Sequence, residues 1–110
     1  MVRNIPHRVQ TILKETRNEL QKIYSDRLKE IILFGSYARG DFMDNSDIDI
    51  ILLLEGVKDI STEREKYLPI TGRLSLKYDT VISVIPFDFQ VFHQKRIPLI
   101  LNVNKEGIRI

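Results

Sequence analysis

Cysteine is absent from the 110 residues, which excludes disulfides and thiolate zinc sites and makes a reducing cytoplasm the expected location. Long apolar runs are missing too. The longest, Ile48 to Leu54, is broken by Asp49 and falls far short of the ~20 residues a spanning helix needs, so no membrane association is expected. The opening MVRNIPHRVQ lacks an apolar region of the secretory type. Neither sign of charge dominates: 17 Lys and Arg against 15 Asp and Glu leave +2. The basic residues are interleaved with acids, so direct nucleic-acid binding is not expected, although a phosphate-bearing ligand suits the balance. With 5 Gly and 4 Pro there is no linker composition, and one domain spanning residues 1–110 is the economical reading.

Periodicity supplies the elements. Val9, Ile12, Leu13, Leu20, Ile23 and Tyr24 recur at helical spacing from His7 to about Arg27. Glu30 to Phe34 reads as a short buried strand closed by Gly35. The segment DIDIILLLE is a second strand, apolar on both faces and so covered on both, or else leaving a patch for a partner. A helix from about Ser61 to Lys77 follows, bent or split by Pro69. DTVISVIPF, opening at Asp79 and bounded by Pro86, is the third strand. Short helices are expected at Asp88 to Lys95 and over PLILNVNKEG, then a terminal strand at IRI. The fold class is α/β (α+β), a mixed sheet of about four strands flanked by helices.

Two carboxylates at the mouth of an apolar strand require an account. Asp47 and Asp49 stand two apart, so on a strand they point to one face ~6.5–7 Å from each other and repel unless a cation intervenes. If the first two strands pair antiparallel and the third returns parallel to the second through a right-handed helical crossover, then Gly35, Ser36, Asp47, Asp49 and Asp79 meet at one rim. Three carboxylates form an all-oxygen site suited to magnesium or manganese, with room for two ions about 3.5–4 Å apart. Gly35 lets a phosphate approach the backbone, and the Ser36 hydroxyl with the N–H groups of a short SYARG turn can bind its oxygens. Arg39 adds charge to the same triphosphate. Phosphates gripped on one side and metal on the other is what nucleotidyl transfer requires.

Gly35-Ser36, ten residues, then Asp47-Ile48-Asp49, with Ser46 before the pair and Asp79 on a later strand, resembles the nucleotidyltransferase superfamily that includes DNA polymerase β. FGSYARGDFMDNSDIDI, KYDTVISVIPF and the NVNKEGIRI tail are most similar to the minimal nucleotidyltransferases (MNT), small prokaryotic proteins encoded beside a helical HEPN protein. The resemblance implies a polymerase β-like fold, Gly35 and Ser36 on the nucleoside triphosphate, and Asp47 and Asp49 on two magnesium ions. It implies that Asp79 binds the catalytic ion and helps deprotonate the attacking hydroxyl. AMP would pass from ATP to a tyrosine of a HEPN toxin, the chain acting as a type VII-like antitoxin in an oligomer with that partner. Two alternatives stand beside this: an antitoxin that binds nucleotide and neutralises by occlusion, and transfer to a small molecule.

Blander readings attach to the neighbours. Asp41 and Asp44 read as turn residues, His7 and His93 as surface or structural, and Tyr37 as an aromatic supporting the phosphate turn.

Overall fold

A computed structural model describes residues 5–94 and 98–110. Helix α1 spans His7–Tyr24 and a 3₁₀ turn Ser25–Arg27 leads into strand β1, Leu28–Phe34. The remaining elements are α2 (Ser36–Arg39), β2 (Ile48–Leu54), α3 (Ile60–Tyr78), β3 (Ile82–Asp88), α4 (Phe89–Gln94), α5 (Pro98–Glu106) and β4 (Ile108–Arg109). The strands form one sheet in the order β3-β2-β1-β4. β1 is antiparallel to β2 and to β4, and β2 is parallel to β3. This is the mixed four-stranded sheet expected from the sequence, with the expected pairing directions.

Two helical layers explain why β2 is apolar on both faces. Ile48, Ile50, Leu52 and Leu54 pack with Val9, Ile12 and Leu20 of α1 and Tyr67 and Leu74 of α3. On the other face Ile51 and Leu53 join Ile32, Phe92 of α4, and Ile100 and Val103 of α5. Every β2 residue except Asp49 is fully enclosed, so the two-sided pattern is satisfied within the chain.

Several boundaries differ from expectation for identifiable reasons. Helix α1 ends at Tyr24, where Ser25 takes φ 48°, three residues before the expected stop. Helix α3 begins one residue early because Asp59 is its cap, accepting from Ser61 N at 3.1 Å and the Thr62 hydroxyl at 3.0 Å. It runs unbroken through Pro69. That proline is exposed, so the carbonyl it leaves unpaired faces water. Strand β3 likewise continues through Pro86, opposite Leu52. β3 is an edge strand, where the missing N–H is tolerated. The expected end of α4 at Lys95 lies outside the described residues. Asp79 is not in a strand: it caps the end of α3 with φ 51° and ψ 54°, three residues before β3.

Candidate active site

Where β1 ends, Gly35 turns the chain with φ 76° and ψ −154°, a region in which only glycine is unstrained. A second constraint is steric. A Cβ on Gly35 would collide with Asp49 Oδ2 and lie 3.2 Å from Asp49 Cγ, because Phe34 pairs directly with Asp49 across the β1–β2 ladder. The turn then becomes α2. Ala38 and Arg39 donate their N–H groups to Gly35 O at 3.1 and 3.0 Å, and Gly40 donates to Ser36 O at 2.8 Å. The leading N–H groups of a helix have no partner within it, so those of Ser36 and Tyr37 are left for other acceptors. Tyr37 is buried and stacks on Phe42, ring centroids 4.8 Å apart, which holds the turn from behind as the sequence reading expects.

The loop from Gly40 to Asp47 closes on itself. Met43 N donates to Ser46 Oγ at 2.7 Å and Ser46 N to Met43 O at 3.0 Å. It delivers Asp47 to the start of β2, where Ile48 N is tied to Val81 O at 2.8 Å. Strand alternation then sets Asp47 and Asp49 on the face of the sheet that carries Ile51 and Leu53, the face covered by α4 and α5. Burial, and secondly the charge of Asp47, push the Asp49 carboxyl above its ordinary value, against a smaller opposing pull from Arg39. Arg39 itself pairs with Asp41 at 3.2 Å and stays half exposed.

These residues line one cleft of about 600 Å³, within the range of small-molecule sites. Gly35, Ser36, Arg39, Ser46, Asp47 and Asp49 form one wall, and Leu99, Asn102, Val103 and Glu106 of α5 form the other. Five of the six sequence-expected site residues are thus brought together. Asp79 is not among them. It borders a separate cavity with Arg8, Tyr37, Phe42 and Asp44, because α3 packs with α1 on the opposite face of the sheet. The position on β3 level with Asp49 is Ser83. Among the described residues no three carboxylate or imidazole side chains converge to hold a metal. Asp47 and Asp49 thus line the cleft as a pair, and Asp79 lines the neighbouring cavity. A hard divalent cation fits that pair, since two carboxylates on one face, one of them half-buried, lack an adequate counter-charge.

The α5 wall went unrecognised in the sequence. Its only signal is amphipathic: Ile100 and Val103 face the core, while Leu99, Asn102 and Glu106 recur at i, i+3, i+7 on the neighbouring stripe. His93 is exposed and packs edge-on against Phe89 at 4.6 Å.

Comparison with known proteins agrees with this geometry. Residues 13–106 match the nucleotidyltransferase-domain family. MJ0141 of Methanocaldococcus jannaschii, an inferred protein adenylyltransferase, is 43% identical over 74 residues, which are 67% of this chain and 74% of the relative. The protein adenylyltransferase MntA of Thermococcus cleftensis is 33% identical over 77 residues, 68% and 74% of the two chains. The fold is shared with a toxin–antitoxin crystal structure containing AMP-PNP (TM-score 0.61, 24% identity, 87% of this chain and 70% of that one). It is shared also with the complex of a tri-AMPylated Shewanella oneidensis HEPN toxin and its MNT antitoxin (TM-score 0.57, 21% identity, 91% and 70%). The class is therefore that of the nucleotidyltransferases. Within it, the chain belongs to the nucleotidyltransferase-domain family that it shares with relatives named protein adenylyltransferases.

Proposed function

We propose that this chain transfers AMP from ATP to a tyrosine hydroxyl of a HEPN-type toxin and thereby acts as its antitoxin. The observation that carries this is the Gly35–Asp49 contact, which sets a phosphate-binding turn directly beside the acid pair. Gly35 exposes backbone to the triphosphate, while Ser36 offers its hydroxyl and the first N–H groups of α2. Arg39 contributes positive charge from the same wall. Asp47 and Asp49 would hold magnesium, or manganese, which when bound supplies positive charge to the triphosphate oxygens. Two carboxylates are the protein's contribution to the metal, and Asp79 is left out of it. The acceptor hydroxyl gives up its proton to water in the open cleft, its oxygen forms a bond to the α-phosphorus, the bond from that phosphorus to the bridging oxygen breaks, and pyrophosphate leaves. Relatives bearing the name protein adenylyltransferase and a neighbour containing an AMPylated HEPN toxin support this choice of acceptor. Among the described residues no helix is long and apolar enough to cross a membrane.

The test uses ATP labelled at the α-phosphate, magnesium and the HEPN protein encoded beside this chain. Covalent label on a HEPN tyrosine is expected, and Asp47→Asn or Asp49→Asn should abolish it while the protein melts cooperatively. Neutralisation of the toxin without label would replace transfer by occlusion. Full labelling by either variant would reject the two-carboxylate mechanism.

A further inference from the structure

We propose that helix α5 is the nucleoside-reading wall of the cleft, with Asn102 recognising the adenine edge and Glu106 the ribose 2′-hydroxyl; this rests on the nucleotidyl-transfer reading above. The wall's position follows from strand register. Ile108 pairs with Leu33 and Arg109 with Ile32 in the antiparallel β1–β4 ladder, so the chain just before Ile108 lies alongside the Gly35 end of β1. Gly107 makes that approach possible. A Cβ there would sit 2.5 Å from both Ile32 Cγ2 and Val103 O, and Gly107 N donates to Val103 O at 2.7 Å. Glu106 is therefore held at the phosphate-turn end of the cleft. Asn102 stands one turn and Leu99 two turns further out, a span of about 10 Å at 1.5 Å per residue, which matches the length of a nucleoside.

Chemistry along that line changes in the order a nucleotide needs. Glu106 is acceptor-only and repels phosphate, so its natural partners are hydroxyl donors, as acids reading ribose are in other nucleotide folds. It is half-buried and is the last residue of α5, where the helix dipole disfavours an anion. Among the described residues it makes no ion pair. Neither an ion pair among the described residues nor the helix end accounts for an acid at this place. Asn102 presents one donor and one acceptor together, the pair that meets N7 and the 6-amino group of adenine, where guanine presents two acceptors. Leu99, 37% exposed in the cleft wall, supplies an apolar surface for the base.

Binding of ATP, GTP and 2′-deoxy-ATP to the full chain with magnesium, measured by titration calorimetry, tests this. The unaltered protein should prefer ATP to GTP about tenfold or more. Asn102→Ala should lose about tenfold toward ATP with GTP unchanged, and Glu106→Ala about tenfold toward ATP with 2′-deoxy-ATP unchanged. Thermal melts would confirm that both variants fold. If the unaltered chain binds ATP and both variants match it, or lose all three nucleotides equally, α5 does not read the nucleoside and the transfer reading survives. If the unaltered chain binds no nucleotide at all, the transfer reading fails and this inference with it.

Discussion

Gly35 lies against the carboxylate of Asp49 so tightly that no side chain fits between them. The turn that would hold phosphate and the acid that would hold metal are thus in van der Waals contact, across the Phe34–Asp49 pair of the β1–β2 ladder. Gly35→Ala meets two penalties at once, a positive φ and a collision. A loss of about 1–3 kcal/mol in stability is expected from the backbone alone. Displacement of Asp49 should also remove transfer from the molecules that still fold. Urea unfolding and labelling of the same preparation measure both, and full activity in a folded Gly35→Ala protein would break the link between turn and acid.

The raised Asp49 carboxyl gives a pH signature. Folding favours its protonated form, so its stabilising contribution is complete below the ordinary carboxylate range and vanishes as pH climbs through the raised value. At pH 7 the ionised group therefore destabilises the free protein. Asp49→Asn should melt higher than the unaltered chain at pH 7, with a smaller difference at pH 3. Magnesium at a hundredfold excess over its dissociation constant should stabilise the unaltered chain by about 2.7 kcal/mol and Asp49→Asn far less. Equal responses to magnesium would separate the cation from this carboxylate.

Asp79 offers a clean contrast, because it sits in the left-handed region with φ 51°, which asparagine also accepts. Asp79→Asn should fold normally and transfer AMP within about twofold of the unaltered rate, an expectation that follows from its place in a different cavity. A loss of a hundredfold or more in kcat would return Asp79 to the reaction.

Away from the cleft, Glu63 is 3% exposed and takes both Arg27 nitrogens, Nη2 at 2.6 Å and Nη1 at 3.3 Å. Tyr24 OH donates to the carbonyl of the same residue at 3.2 Å. This joins the end of α1 to the start of α3. Glu63→Gln should lower stability by about 2 kcal/mol, since Arg27 loses a charged acceptor in a mostly enclosed place. Transfer per folded molecule should stay unchanged, and a denaturant midpoint that did not move would show the pair to be energetically idle.

Much of the architecture was legible because its signals are local. Alternating and helical periods mark each element, the double-sided apolar run at β2 announces cover on both faces, and Gly35-Ser36 with Asp47 and Asp49 lie within one strand–turn–strand unit. The differences have a common source. Pro69 and Pro86 look like breakers in the sequence because their tolerance depends on exposure and on strand order, neither of which is local. KYDTVISV reads as one continuous strand, which draws Asp79 into β3 on sequence alone. The reversal at a left-handed cap is not encoded in a hydrophobic period.

The order of residues alone determined the Gly35–Ser36 turn and the acid pair, since seven-residue strands joined by one loop leave Asp47 and Asp49 only one way to face once Ile48 and Ile50 enter the core. Which further groups share their cleft was decided by tertiary packing. Helix α3 lies on one side of the sheet and α5 on the other, so Asp79 is carried away from the pair and Glu106 toward it. Strand alternation fixes a side chain's face within a few residues. The face a distant helix covers depends on how the entire sheet is enclosed.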